Sequence, residues 1–275
     1  MRLRSVGALL LATVVSPGCV ATSKVAPPAP VRVIVHGLAE SIARYNEQCI
    51  ISERLRAYAT IEYSSLRTKK KSFNGAIYID GLTQSLRLRA DAYFVTLFDL
   101  TYLGGRFSVL VPSRRTMYRG DGDSFRGFAM QDLRDALMPR PLPPDGAGIL
   151  LEETQREVVL TEVTNADGGA LRPAQRVYLS RDDLSLARRS LFYSTGVIKS
   201  DLYYGRPQEF KAGRFPSRIT VSRAWQENRV TLNLEKLDIP ASFNERVFSL
   251  ETPSGTKTVD IEPEMSDDIL FMRGE

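Results

Sequence analysis

The spacing of hydrophobic residues changes between Cys49 and Leu55. Between Val33 and Cys49 the apolar residues recur every three or four positions, which predicts an amphipathic helix with Cys49 buried on its apolar face. From Leu55 to Ile79 the period becomes two, which predicts two strands joined by a basic turn. This turn is either solvated or a contact for anionic lipid headgroups. His36, the only histidine, falls on the predicted helix, where we expect it to be solvated beside Glu40.

Short alternating runs continue at regular spacing and predict one large antiparallel sheet of about a dozen strands. These runs are Leu86–Asp91, Phe107–Val111, Val158–Val163, Val177–Leu179, Ile219–Trp225 and Val230–Leu234. A second helix is predicted over Ala129–Leu137, and a proline-rich loop follows it. The fold class is therefore mainly β with two helices, and the second helix divides the strands into two groups.

The segment Ala92–Leu103 departs from alternation, because it has apolar residues at both even-numbered and odd-numbered positions. Two interpretations fit this pattern. The segment is either a strand covered on both sides or a hydrophobic lip at the mouth of a cavity.

The first residues have the pattern of an export signal. Arg2 and Arg4 precede the apolar run Val6–Val15, which is too short to span a bilayer as a helix. The next residues, Ser16–Cys19, resemble a bacterial lipobox, which predicts a signal peptide over residues 1–18 and lipidation of Cys19. The alternative is an ordinary signal peptide with a cysteine there by chance. Residues 19–30 are small, polar and proline-rich, as in an extended tether.

Charge and composition narrow the classes of function. The net charge is +5 and falls to +3 when Arg2 and Arg4 leave with the signal, and the remaining basic residues alternate with acidic ones, which argues against nucleic-acid binding. His36 has no nucleophile near it in sequence, and no cluster of His and Cys or glycine-rich phosphate loop occurs. We therefore expect no enzyme and no cofactor. Residues 254–275 are acidic, and we expect them to form a flexible tail after a folded domain over residues 31–253.

The order of elements and the closing segment carry a family resemblance. Val230–Pro240, an alternating strand, leads to Phe243 and then to Val247–Leu250 and Pro253. This ending resembles that of the LolA/LolB-like periplasmic lipoprotein-carrier superfamily. The stretch Gly75–Gly120 is similar to a related family of uncharacterised bacterial outer-membrane lipoproteins. The resemblance implies an incomplete β-barrel wrapped over helices, with an apolar cavity that shelters acyl chains.

Two functions are compatible with these patterns. In the first, a protein anchored to the membrane through Cys19 binds acyl chains of lipoproteins or lipids. The residues predicted to line its cavity are Leu86, Leu88, Phe94, Leu97, Phe98, Phe107, Val109 and Met117. In the second, the same fold binds a protein partner in the envelope as an interaction or sensor module. In bacteria that resemble the enteric model, an aspartate after the lipidated cysteine retains a lipoprotein at the inner membrane. Val20 at this position therefore favours the periplasmic face of the outer membrane, and the inner membrane is the alternative.

Overall fold

A computed structural model describes residues 35–49, 53–65, 70–92, 95–121, 130–165, 169–223 and 228–261 of the chain. The predictions made for the signal peptide, Cys19, the tether, Phe94, Trp225 and residues 262–275 lie outside these described residues.

The described residues form two α-helices and sixteen strands. The helices are α1 (Leu38–Gln48) and α2 (Met130–Leu137). The strands before α2 are β1 (Arg54–Ser64), β2 (Lys71–Asp80), β3 (Ser85–Ala92), β4 (Val95–Leu103), β5 (Arg106–Val111) and β6 (Thr116–Asp121). The strands after it are β7 (Ile149–Glu153), β8 (Glu157–Asn165), β9 (Leu171–Ser180), β10 (Leu186–Phe192), β11 (Ile198–Tyr204), β12 (Pro207–Phe210), β13 (Gly213–Pro216), β14 (Arg218–Arg223), β15 (Asn228–Asp238) and β16 (Lys257–Asp260).

Fourteen of these strands form one sheet, in the order β16-β6-β5-β4-β3-β2-β1-β15-β14-β11-β10-β9-β8-β7. β1 pairs with β15 and joins the group before α2 to the group after it. All pairings are antiparallel except that of β16 with β6, which is parallel. The sheet does not close, because β7 and β16 stand at opposite ends of the order. The predicted fold class, an incomplete β-barrel with two groups of strands and two helices, is confirmed.

Alternation of side chains gives the sheet its buried face. Along β1, every second residue from Leu55 to Tyr63 is buried and the intervening residues are partly exposed. α1 turns Ile42 and Tyr45 toward the core, and α2 adds Leu133, Ala136 and Leu137, which are buried in the same apolar cluster. The inner face is therefore the face that packs on the helices.

Tight turns connect the strands of the first group. Gly104 and Gly105 join β4 to β5 with φ angles of 57° and 82°, a conformation that the right-handed twist of a hairpin favours and that glycine adopts without strain. Between β2 and β3, the Asp80 carboxylate accepts hydrogen bonds from the backbone N–H groups of Leu82 (3.0 Å) and Thr83 (3.3 Å).

The predicted first helix starts too early. α1 begins at Leu38, and residues 35–37 are not helical. His36 is buried, contrary to the expectation, because it docks against the sheet before the helix starts: its backbone N–H donates to Glu153 Oε1 (3.1 Å) and its Nε2 lies 3.0 Å from the Arg181 carbonyl oxygen. Its expected neighbour, Glu40, does lie 3.5 Å from Nδ1. The prediction of a buried Cys49 is confirmed.

The apolar segment at β4 is covered on both sides only in its middle. Phe98 and Leu100 face the core, while Asp99 and Thr101 are buried on the other face. That outer face is covered by the short 3-10 helix Glu245–Phe248, and Arg87, which is ion-paired with Asp99, donates to the Val247 carbonyl oxygen at 2.7 Å. The two-sided interpretation is therefore confirmed for Phe98–Thr101.

The sheet also extends into the segment that was expected to be a flexible tail. β16 pairs with β6, and Ile261, which follows it, is 6% exposed and belongs to the core cluster. The domain boundary at residue 253 was therefore set too early. Of the helices that the structure describes, neither is long and apolar enough to cross a membrane.

Candidate functional site: the inner face of the sheet

Strand register brings five of the predicted lining residues onto one face. Leu86 on β3 pairs with Tyr102 on β4, which pairs with Phe107 on β5. Leu88 pairs in the same way with Leu100, and Leu100 with Val109. Directly opposed residues of antiparallel strands project from the same face. The residues placed together on the inner face are Leu86, Leu88, Phe98, Phe107 and Val109, all at most 4% exposed.

Three of the predicted lining residues do not join this group. Met117 pairs with Leu110 and not with Val109, so it projects from the opposite face, where it is buried. Leu97 lies at the bulge between the Ala90–Phe98 and Asp91–Thr96 pairs and is 39% exposed. The placement of these two residues on the inner face was wrong, and Phe94 lies outside the described residues.

The apolar half of the inner face is closely packed around Gly75. A Cβ atom at this position would lie 2.5 Å from Ile61 Cδ1 and 3.3 Å from Leu88 Cδ1. Phe73 and Phe98 meet nearby in an edge-to-face contact, with their ring centroids 5.5 Å apart. The absence of a side chain at residue 75 therefore makes room for Ile61 and Leu88.

The half of the inner face formed by β8 to β11 has a buried polar cluster. Arg189, which is 2% exposed, donates to Gln175 Oε1 at 2.6 Å and to the Asp135 carbonyl oxygen of α2 at 2.6 Å. The Gln175 amide donates to Glu162 Oε2 at 2.9 Å, and Glu162 also accepts from Arg140. The polar cluster of Arg189, Gln175, Glu162 and Arg140 thus joins three strands to α2 and to the loop after it.

The electrostatics of the cluster keep the arginine charged and the neighbouring tyrosine and cysteine side chains neutral. Burial by itself lowers the pKa of Arg189, but Tyr45, Tyr204 and Asp135 favour the cation, so its pKa is raised overall. Burial also raises the pKa of Tyr45, of Tyr204 and of the Cys49 thiol, the last to about 11. None of these groups is an activated nucleophile or base at neutral pH.

A second polar contact holds α2 on the sheet. The carboxylate of Asp132, which is completely buried, lies 2.7 Å from Arg223 Nε on β14 and 3.0 Å from Lys199 Nζ on β11. Asp132 and the Arg189–Asp135 contact are one turn of the helix apart, so α2 is tied to the inner face at both points. Within the described ranges, no three His, Cys, Asp or Glu side chains gather as metal ligands do.

The polar cluster was not predicted from the sequence, although the alternation of apolar and polar residues contains a signal for it. Gln175 lies two residues before Val177 on β9, at a position that the alternation assigns to the apolar face. Glu162 lies two residues after Leu160 on β8, also on the apolar face. Arg189 similarly precedes Leu191 by two. A polar residue in the apolar phase of a strand is a candidate for a buried, hydrogen-bonded group.

Sequence comparison and structural comparison give different results for this chain. No family model and no curated protein matches the sequence. A LolA superfamily protein from Nitrosomonas europaea is similar in structure, with a TM-score of 0.51 and 11% identity, covering 78% of this chain and 99% of that one.

Two further solved structures are similar at lower TM-scores. A DUF1329 family protein from Desulfovibrio piger (TM-score 0.47, 14% identity) is covered over 95% of its length by 77% of this chain. A putative outer membrane lipoprotein-sorting protein domain from Vibrio parahaemolyticus (TM-score 0.48, 11% identity) is covered over 94% by 76% of this chain. Together with the open sheet and its two helices, the similarity to the Nitrosomonas protein shows that this chain has the fold of the LolA superfamily.

Proposed function

We propose that this chain is a non-enzymatic lipoprotein of the bacterial envelope that binds acyl chains of lipoproteins or lipids at the inner face of its sheet. The observation that carries the proposal is the continuous apolar surface across β1 to β5. Successive strands contribute Ile61, Ile77, Leu88, Leu100 and Val109, all fully buried. The main strand contacts of the helices are with the other group, α1 with β8 and α2 with β14.

The transfer of an alkyl chain from water to an apolar surface could supply enough free energy for micromolar binding. Each methylene group removed from water contributes about 0.8 kcal/mol, so ten carbons contribute about 8 kcal/mol before the cost of association is subtracted. A micromolar complex requires a net value of about 8 kcal/mol, so a chain longer than ten carbons is needed. A common fatty acyl chain meets this requirement.

α2 is the element that a bound chain would displace or lie against. Its apolar side covers the core with Leu133, Ala136 and Leu137, while its ties to the sheet are the polar contacts of Asp132 and Asp135. An acyl chain could replace the apolar contacts of α2, and the charged residues Arg189, Arg223 and Lys199 would then offer partners to an anionic headgroup.

The proposal is tested by titrating an environment-sensitive fatty-acid probe into delipidated protein, residues 20–275. Saturable binding at micromolar probe is expected. Phe98→Glu, on the inner face, should weaken binding at least tenfold, because it introduces a charge where the chain lies. Leu97→Glu, at the neighbouring exposed position, should leave binding unchanged.

If Phe98→Glu disrupts the core, an uncharged substitution whose folding is checked by urea titration takes its place. Ala90→Leu adds volume to the inner face beside Gly75 and Phe98 without adding charge, and it should also weaken binding. Co-purified lipid detected by native mass spectrometry of the wild-type protein supplies an independent measurement. The absence of saturable binding to delipidated wild-type protein would contradict the proposal.

The anchor and the location are part of the same proposal. We infer that Cys19 carries the lipid and that the protein stands at the periplasmic face of the outer membrane, as the residues Gly18 to Val20 favour. Cys19→Ser should abolish incorporation of a labelled fatty acid and release the protein from the membrane fraction. Unchanged incorporation of the labelled fatty acid into this variant would contradict the anchor.

A second function is favoured by the packing around Gly75. Because Ile61 and Leu88 already fill the space above this residue, part of the inner face is solid in the structure. A solid core would make the chain an envelope module that binds a protein partner. Failure of the probe to bind, with a partner captured by crosslinking in intact cells, would make this the better function.

A further inference from the structure

The two ends of the sheet differ in charge. β1, β3 and β5 finish at one end, where β8, β10 and β14 also reverse into the next strand. We call this end the basic rim. Its basic residues include Lys70, Lys71, Arg114, Arg115, Arg229 and Lys257, which are exposed, and Arg172, which is partly exposed. Glu62, Asp91 and Asp201 also lie at this end, and they are ion-paired with Lys70, Arg89 and Arg188.

The basic residues follow one another along the order of the strands. Lys257 of β16 stands beside Arg115, whose carbonyl oxygen accepts its backbone N–H at 2.9 Å. Further along, the end of β1 lies between β2, which carries Lys71 opposite Tyr63, and β15, which carries Arg229 opposite Ser64. These residues are exposed. The positive charge therefore extends along the rim and is not confined to one turn.

Exposed apolar residues lie between the basic ones. Leu171 at the start of β9 is 64% exposed, and Tyr193 and Val197 in the turn between β10 and β11 are 45% and 41% exposed. Arg172 Nη1 donates to the Ser194 carbonyl oxygen at 2.6 Å and ties these two turns together. Val95, at the start of β4, adds a further exposed side chain.

The opposite end has mixed charge. Arg54 pairs there with Asp80, Arg106 with Asp121, and Lys211 with Asp238. Apolar side chains are exposed at this end too, including Leu82 and Leu103. The excess of exposed basic side chains over acidic ones, and not apolar exposure alone, distinguishes the rim.

We propose that the basic rim docks on an anionic lipid surface, with Leu171, Tyr193 and Val197 entering the headgroup region. Basic side chains are attracted to the negative potential of anionic lipids, and exposed apolar side chains gain by entering the boundary between headgroups and acyl chains. This docking does not depend on a ligand at the inner face, and it goes beyond the proposed function.

The position of the chain entry is compatible with docking of the rim. Residue 36 contacts Glu153 and Arg181, so the chain enters the fold at the end opposite the rim. Residues 19–34 are sixteen residues, and a fully extended chain of this length reaches about 50 Å. A strand as long as β1 spans about 36 Å. A tether of this length lets the rim face the same bilayer that holds the proposed anchor.

The test uses residues 20–275, which contain the whole compact unit of residues 34–275. Flotation with phosphatidylcholine vesicles, with and without phosphatidylglycerol, measures partitioning. Binding is expected only with the anionic lipid, and it should fall when salt is raised from 0.15 to 0.5 M because charges are then screened over shorter distances. The same partitioning with and without phosphatidylglycerol, or none with either, would overturn the proposal.

Charge reversal assigns the binding to the rim. The triple variant Arg115→Glu, Arg229→Glu and Lys257→Glu should reduce partitioning at least 50-fold, since each basic residue near such a surface contributes on the order of fivefold. The matched variant at the opposite end, Arg106→Glu, Arg156→Glu and Lys211→Glu, makes the same change in net charge and should reduce it far less. Equal losses in the two variants would overturn the assignment to the rim.

Insertion of the apolar residues has its own pair of variants. Leu171→Ser with Val197→Ser should weaken partitioning about tenfold, and Leu82→Ser with Leu103→Ser at the opposite end should not. Circular dichroism and a urea titration confirm that each variant is folded, which is expected because all the substituted residues are exposed. No loss in the first pair would overturn the insertion of the apolar residues.

Discussion

The guanidinium of Arg189 on β10 donates a hydrogen bond of 2.6 Å to the backbone carbonyl oxygen of Asp135 on α2. This contact joins a strand and a helix that are remote in sequence, inside a core that is otherwise mostly apolar. Gln175 accepts a second bond from the same guanidinium. A buried arginine without these acceptors would destabilise the fold, so we interpret the polar cluster as the device that fixes α2 in one position on the sheet.

Replacement of Arg189 tests this interpretation. Arg189→Met keeps most of the side-chain volume but leaves the Gln175 and Asp135 oxygens without their donor, and we expect a loss of about 2–4 kcal/mol in the free energy of unfolding in urea. Arg176→Met, on the outer face of β9 with one hydrogen bond to Thr161, should cost less than about 1 kcal/mol. Equal stabilities of the two variants would show that the cluster does not fix α2.

Gly75 provides a test of close packing on the inner face. In Gly75→Ala the new methyl group meets Ile61 Cδ1, and we expect a cost of about 1–3 kcal/mol from overpacking. Ile61→Val removes that atom, so it should relieve the strain in the double variant. A double-mutant cycle by urea denaturation should give a favourable coupling of about 1 kcal/mol or more. Additive costs would indicate that the space above Gly75 is open.

Much of the sheet could be predicted from the sequence because side chains alternate between the two faces of a strand, so that every second apolar residue marks the buried face. The predicted run Val158–Val163 lies within β8 and the shorter run Val177–Leu179 lies within β9. The predicted end of α2, Leu137, is correct, because the apolar positions lie on one side of a short helix, and the predicted start, Ala129, lies outside the described residues.

The remaining errors have identifiable physical causes. Met117 and Val109 both lie in apolar runs. Such a run shows which residues of one strand share a face, but not which face of the neighbouring strand they join. The turn between β5 and β6 decides this, because it pairs Met117 with Leu110. Leu97 lies at a bulge, which offsets the alternation by one residue. His36 is buried by contacts with residues more than a hundred positions away, which local periodicity does not contain.

The thiol of Cys49 should be unreactive in the folded protein. Burial disfavours the thiolate and raises the pKa to about 11, so only about 0.1% of the thiol is ionised at pH 8. In residues 20–275 Cys49 is the only cysteine, and its reaction with a disulfide reagent should be slow in buffer and fast in 6 M urea. Equal rates in the two solvents would show that the thiol is accessible.

The same raised pKa sets the sign of a pH effect on stability. The unfolded thiol loses its proton near pH 8.5, whereas the folded thiol keeps it to about pH 11. As the pH rises through this interval the unfolded state binds fewer protons than the folded state, and the free energy of unfolding decreases. Cys49→Ala should make the urea midpoint fall less steeply between pH 8 and pH 10. Parallel curves for the two proteins would contradict the pKa.

Two truncations test whether β16 and Ile261 belong to the fold. A chain that ends at Ile261 and a chain that ends at Gly255 both lack residues 262–275, so the difference between them reports only on residues 256–261. The shorter chain loses the parallel pairing with β6 and the burial of Ile261, a side chain whose transfer from water contributes about 1.5–3 kcal/mol. We therefore expect its melting temperature to be lower by about 4–8 °C, measured by differential scanning calorimetry. Equal melting temperatures would show that residues 256–261 do not stabilise the fold and belong to the flexible tail predicted from the sequence.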